Sequence, residues 1–234
     1  MESIEKIEKN ELNVSENNEE TVYSFFEKNR KPILISCIVL LILLVGLIGV
    51  LLIRDIMQKD AIAKLDLLVE RYEKVKNNLS GEELENPADA EELLTELLNF
   101  GKNSFAYPAA RAWFMAANIY HERGEWQEAR DAWLTAAAKG GKDHLTPVCL
   151  FNAAVASESA GDLDAALSNY QKSVTFADFP AAAHAQFSIG RLQETQGDNV
   201  AAIAAYRALI ENWPSDTDWT NLARSRIIAL ELAP

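Results

Sequence analysis

The chain has 234 residues, 49% of them hydrophobic, and carries 22 Lys and Arg against 35 Asp and Glu, a formal net charge of −13. From residue 60 onward, 15 basic residues stand against 26 acidic ones, which excludes unspecific nucleic-acid binding, because phosphate contacts need a basic face, and argues against a domain lying flat on anionic lipid. Two cysteines, Cys37 in an apolar run and Cys149 far from it, give no intradomain disulfide.

Residues 1–32 are almost wholly polar, and 1–22 are rich in Glu, Asn and Lys. Such a stretch cannot bury enough apolar surface to order itself, so a mostly disordered acidic tail is predicted. Thr21 to Lys31 (TVYSFFEKNRK) differs, with Phe25 and Phe26 beside basic residues. It reads either as a short interfacial helix or as an aromatic belt for the segment that follows.

Residues 33–53, ILISCIVLLILLVGLIGVLLI, are 21 positions without a charge. As a helix they span about 31 Å, the thickness of a hydrocarbon core. A cleaved signal would lie nearer the terminus, have a shorter apolar core and end in a small-residue site; this segment runs into Arg54-Asp55. A single uncleaved transmembrane helix is therefore predicted. Lys28, Arg30 and Lys31 crowd its N-terminal edge, whereas Arg54, Lys59 and Lys64 are spread more thinly beyond it. The raw counts are level, but that density favours an N-terminus in the cytoplasm, with the remaining chain outside, in the periplasm if the cell is a diderm bacterium.

Residues 54–107 read as a connecting helix and a divergent first hairpin. Ala61, Leu65, Leu68, Tyr72, Val75 and Leu79 recur at steps of three and four, one apolar stripe on a helix. The stripe either packs on the next helices of its own domain or forms a short coiled coil with a partner. Ser80-Gly81 breaks this helix, Asn86-Pro87 caps the next, and Leu93, Leu94, Leu97 and Leu98 carry it to Gly101.

Residues 108–234 contain one pattern three times. Gly124-Glu125, Gly161-Asp162 and Gly197-Asp198 recur at spacings of 37 and 36. Seven residues before each glycine stands Ala117, Ala154 or Gly190, five after it Ala129, Ala166 or Ala202, and nine after it Trp133, Tyr170 or Tyr206. A period of this length signals stacked helical hairpins. The small residues let the two helices approach, the glycine ends the first helix in the left-handed region, and the following acid opens the second. The large aromatics fill the space between units. Each unit starts near Pro108, Pro147 or Pro180, and a last helix from Asp218 to Glu231 caps the stack.

The unit Trp113 to Ala137, WFMAANIYHERGEWQEARDAWLTAA, resembles the tetratricopeptide repeat, with Trp113, Ala117, Tyr120, Gly124, Ala129, Trp133 and Ala136 at its signature positions. The second unit keeps Leu150, Ala154, Gly161, Ala166 and Tyr170 but has Ser157 where Tyr120 stood. The third keeps Gly190, Gly197, Ala202, Tyr206 and Pro214 but has Gln186 and Gln193 at usually apolar places. The resemblance implies an all-α fold: an N-terminal transmembrane helix followed by a tetratricopeptide-repeat α-solenoid with a C-terminal capping helix. The whole layout, with FFEKNRK, one anchor and a small repeat domain, is similar to YfgM-type ancillary subunits of the bacterial Sec translocon. That likeness implies translocon subunits, periplasmic chaperones or secreted chains as partners. An envelope scaffold, for outer-membrane assembly or a division site, and a membrane-bound signalling adaptor are the alternatives.

The repeat register nominates a concave partner groove. Phe114, Phe151 and Phe187 occupy equivalent places, then Asn118, Val155 and Arg191, then His121, Glu158 and Glu194. An apolar ladder flanked by polar groups would hold an apolar segment of another polypeptide. Alternatively the helix of residues 60–79 or the C-terminal helix fills the groove. Three histidines, no HExxH, no CxxC and no phosphate loop give no catalytic, metal-binding or cofactor-binding residues, and no small-molecule substrate is expected.

Overall fold

The structure, a computed structural model, describes residues 29–79 and 87–232. The expectations for the acidic tail, for Phe25-Phe26 and for the break at Ser80-Gly81 fall outside the described residues. Regular structure among the described residues is helical throughout, in nine helices. The chain divides into two compact units, Met1–Lys59 and Asp60–Pro234.

The first unit contains most of the N-terminal part of α1 (Arg30–Leu79). Its stretch Arg30–Ile53 is long and apolar enough to cross a membrane, and none of it is buried inside the protein. Leu, Ile and Val side chains face outward all round this stretch. In water that exposure would be strongly unfavourable, at about 25 cal/mol per Å² of apolar surface.

The second unit starts with the rest of α1 and continues through α2 (Pro87–Asn103), α3 (Ala106–Glu122) and α4 (Trp126–Gly140). It then runs through α5 (Leu145–Ser159), α6 (Leu163–Ser173), α7 (Ala182–Thr195), α8 (Asn199–Asn212) and α9 (Thr217–Leu232). Leu65, Leu68 and Tyr72 of α1 are buried with Leu93, Leu94 and Leu97 of α2 and Ala112, Met115 and Ile119 of α3. Within this unit the apolar stripe is thus used by the chain's own helices.

The three repeats are the hairpins α3–α4, α5–α6 and α7–α8. Gly124, Gly161 and Gly197 each sit at positive φ, between 72° and 81°. This is the left-handed turn that a Cβ disfavours and that ends the first helix of each pair. Asp162 and Asp198 then cap the second helix, their Oδ1 atoms accepting from Ala165 N (3.1 Å) and Ala201 N (2.9 Å). Glu125 occupies the same place without a side-chain cap bond; its longer side chain suits the geometry less well than Asp.

Small residues mark the close approaches. Ala117 and Ala154 are 0% exposed. At Gly190 even a methyl is too large, because a Cβ there would lie 2.5 Å from the Tyr206 ring. Trp133, Tyr170 and Tyr206 are buried between neighbouring helices, as the spacing predicts. Helix α9 lies on α7 and α8 and buries Ala223 with Phe187, Tyr206 and Leu209. Thirty-five residues separate Gly190, Arg191 and His184 from Ser225, Arg226 and Trp219. Helix α9 therefore stands in the register of a fourth first helix.

Candidate interaction groove

The first helix of each repeat, α3, α5 and α7, supplies the nominated groove positions. The structure gives their polar members partners on neighbouring helices but does not leave the three phenylalanines as an open apolar strip. Phe114 is half-buried against the core formed by α3, α4 and α5, with the Arg111 guanidinium 5.4 Å from its ring centre. Phe151 is half-buried and packs on Tyr170 (5.3 Å between ring centres), Phe179 (5.9 Å) and His184 (4.9 Å). Phe187 is only 8% exposed, covered by Tyr206 and by Trp219 of α9, each 5.3 Å away. Of the two possibilities open in the sequence, the chain's own helices therefore occupy part of the groove. α9 covers the Phe187 rung, and Tyr72 of α1 meets Asn118, whose Nδ2 donates to Tyr72 Oη at 3.0 Å.

A recurring pair organises the polar side. The residue three before each turn glycine touches the aromatic nine after it. Tyr170 Oη donates to Glu158 at 2.8 Å, and Tyr206 Oη donates to Glu194 at 3.2 Å. In the first repeat His121 meets Trp133 instead, 5.4 Å between rings, with Trp126 edge-on at 5.1 Å. The next first helix then contributes an arginine. Arg191 Nη2 donates to both Glu158 oxygens at 2.7 and 2.6 Å, and Arg226 of α9 pairs with Glu194. Val155 holds the position that would otherwise face His121 with a charge, and it packs half-buried in the α5–α7 core. This i, i+12 pairing was present in the sequence as an acid matched with Tyr and a histidine matched with Trp, a signal that reading each column separately does not detect.

Burial raises the Tyr206 hydroxyl to about 12, with the Glu194 carboxylate adding to the effect. Tyr170 moves in the same direction, first from burial and then from Glu158. Both phenols therefore remain protonated donors at neutral pH. The Cys149 thiol is also pushed up to about 12 by burial, so it is not a reactive thiolate.

Among the described residues, two clefts include nominated positions. One of about 230 Å³ is lined by Tyr72, Lys76, Asn118, Ile119, His121 and Glu122. The other, of about 370 Å³, is lined by Phe187, Arg191, Glu194, Thr195, Tyr206 and Arg226. Five of the nine nominated residues thus divide between two clefts, Asn118 and His121 at one and Phe187, Arg191 and Glu194 at the other, while Phe151 and Phe114 serve mainly as packing. No group of three or more His, Cys, Asp or Glu among the described residues could hold a metal ion.

Comparison with known proteins agrees with this geometry. A tetratricopeptide-repeat family model matches residues 82–144 and 150–217. The chain belongs to the tetratricopeptide repeat family. A TPR repeat-containing protein of Treponema pallidum (strain Nichols) is 36% identical over 131 residues, which cover 56% of this chain and 54% of that protein. The chain thus spans about half the length of that relative. Crystal structures of nearly identical TPR-like repeats from Podosopora anserina, assigned to a kinesin light chain, superpose with a TM-score of 0.53 at 12% identity. They cover 71% of this chain and 86% of the first of those structures, and show the shared fold alone. Repeats of this family are protein-interaction scaffolds, and protein–protein interaction follows as the general role of this chain.

His184 of the tetratricopeptide array lies between Phe151 and Trp219, stacked on the latter at 4.2 Å and 13°. Burial lowers its pKa below 6.5, Arg191 lowers it further, and Glu158 opposes both. The unfolded chain then binds the proton first as pH falls. The expected outcome is a loss of stability that begins below about pH 6.5 and stops growing below the folded pKa. Urea midpoints between pH 8 and 5 check this: His184→Phe is expected to flatten the slope, and an unchanged slope counts against the sandwich as its source.

Proposed function

We propose that the chain is a membrane-anchored interaction subunit of the bacterial cell envelope, serving as an ancillary part of the secretory translocon and its periplasmic chaperone network. The observation that carries this reading is an apolar, unburied helix at Arg30–Ile53 ahead of a tetratricopeptide array. The helix anchors the protein in the inner membrane with its N-terminus in the cytoplasm, supported by Arg30 and Lys31 at its leading end. The array faces the periplasm and engages polypeptide partners: translocon subunits, chaperones or emerging secreted chains. An acidic array with tied-off carboxylates suits a polypeptide ligand and offers no basic cradle for nucleic acid.

The partner contacts are assigned to the rims of the two clefts, with Asn118 and His121 at one and Arg191 and Glu194 at the other. A photo-crosslinking residue at Asn118 or Arg191, in cells, is expected to capture translocon or chaperone subunits. Recovery of outer-membrane assembly or cell-wall proteins would instead support the scaffold reading. Topology is tested separately: alkaline washing is expected to leave the chain in membranes, and protease added to spheroplasts is expected to digest the repeat region. A repeat region that stays protected overturns the orientation.

A further inference from the structure

The two acid–arginine pairs of the groove are unequal in exposure. The Arg191 and Arg226 side chains are 44% and 42% exposed, whereas their partners Glu158 and Glu194 are each 20% exposed. The cations thus meet the solvent more than the anions do. The hydrogen bonds carry the same bias. Glu158 accepts from Tyr170 Oη at 2.8 Å and, through both its oxygens, from Arg191 Nη2. Glu194 accepts from Tyr206 Oη at 3.2 Å and from Nε and Nη2 of Arg226. Both carboxylates are therefore well supplied with donors. Arg226 is committed to Glu194 and Tyr206. Arg191 spends only Nη2, and no described residue accepts from its Nε or Nη1.

These groups meet in one place. Arg191, Glu194 and Arg226 line the cleft of about 370 Å³ together with Phe187, Thr195 and Tyr206. Thr195 Oγ1 is turned onto its own helix, where it donates to Arg191 O at 2.9 Å. A ligand that fits must therefore bring acceptors. Among side chains, a carboxylate makes the strongest such bonds to a guanidinium. With 26 acids against 15 bases from residue 60 onward, the array as a whole repels an acidic group. An outward-facing cation then fixes where such a group can land.

We infer that the Arg191 cleft reads an acidic side chain, Glu or Asp, on the polypeptide partner. The inference rests on the reading of the array as a polypeptide receptor and adds the chemistry it selects. The partner contacts assigned above extend to Asn118 and His121 at the other cleft, so the segment passes Arg191 and offers it a side chain, not a chain end. Nε and Nη1 of Arg191 donate to that carboxylate, and Arg226 adds a second positive charge. Glu158 keeps its bond to Nη2, so neither internal pair has to break.

The test uses the full chain in detergent micelles and short rhodamine-labelled Gly-Ser peptides, amidated at the C-terminus and centred on Leu-Glu-Glu-Leu or Leu-Gln-Gln-Leu. By anisotropy the Glu peptide is expected to bind about tenfold more tightly, the worth of one charged hydrogen bond. Arg191→Gln is expected to erase that preference. Arg191→Lys keeps a cation for Glu158 and is expected to reduce the preference while the thermal transition stays in place. Equal binding of the two peptides overturns the proposal. So does a preference that survives Arg191→Gln, or a Gln peptide with a free carboxyl terminus that binds more tightly than the Glu peptide. A photo-crosslinking residue at Thr195, in cells, separates this inference from the reading beneath it. Polypeptide adducts there are expected to fall when Arg191→Gln is added. Adducts of unchanged yield sink the acid assignment alone, and no adduct at either Thr195 or Asn118 sinks both.

Discussion

Tyr206→Ala is expected to destabilise the repeat unit by about 3–5 kcal/mol, the range for deleting a large buried aromatic. Its side chain is fully buried, sits 5.3 Å from Phe187 and closes against Gly190. Its loss opens a cavity at the junction of α7, α8 and α9 and removes one wall of the Phe187 site. Tyr206→Phe isolates the hydroxyl. It removes the 3.2 Å bond to Glu194 and the hydroxyl's hydrogen bond with Arg226, while Glu194 and Arg226 keep each other as partners. That change is expected to cost about 1 kcal/mol. Urea titrations of the purified chain, followed by tryptophan fluorescence, measure both. A Tyr206→Ala cost no larger than that of Tyr206→Phe would remove the ring from its role as the packing element. The result also bears on function. Phe187→Ser, an obvious probe of an apolar groove, is expected to weaken partner recovery by loosening α9 and not by deleting a contact. Arg191 and Asn118 are therefore the informative positions.

Gly190→Ala is the second large effect, and its sign is the useful part. In an ordinary helix interior, replacing Gly by Ala stabilises by about 1 kcal/mol. Here the new methyl would lie 2.5, 2.8 and 2.9 Å from three atoms of the Tyr206 ring. Overpacking of this kind costs about 1–3 kcal/mol, so the net expectation is a loss of stability. The clash is with one ring, so the two sites couple. Gly190→Ala combined with Tyr206→Leu is expected to be less damaging than the sum of the single changes, as a double-mutant cycle reports. A stabilised Gly190→Ala protein would show that α7 and α8 do not approach this closely.

The hairpins were legible in the sequence because each rests on a local rule repeated three times. Glycine at positive φ, Asp162 and Asp198 as caps, and small residues before the turn all follow from backbone sterics and short-range hydrogen bonds. The apolar stripe of α1 was legible as a stripe, but its partner was not. Whether Leu65, Leu68 and Tyr72 meet α2 and α3 or another chain depends on contacts far away in sequence. The groove was legible only in part. Of the positions its register nominates, Asn118, His121, Phe187, Arg191 and Glu194 line clefts. Its apolar ladder was not to be had from periodicity, because the period does not say that the rings of Trp219 and Tyr206 close over Phe187.

By itself the sequence determined the all-helical class, the repeat period, the turn chemistry and the 21-residue apolar run, because each depends on neighbours within one turn or one hairpin. Tertiary structure alone decided which groove positions are open. It pairs Glu158 with Tyr170 and Arg191, and Glu194 with Tyr206 and Arg226, across 12 and 32 or 33 residues. Among the described residues it also leaves Leu222, Ile228 and Leu232 of α9 exposed. Those outcomes follow from how stacked hairpins superpose side chains in space, and a linear period specifies the stacking but not what the last helix leaves exposed.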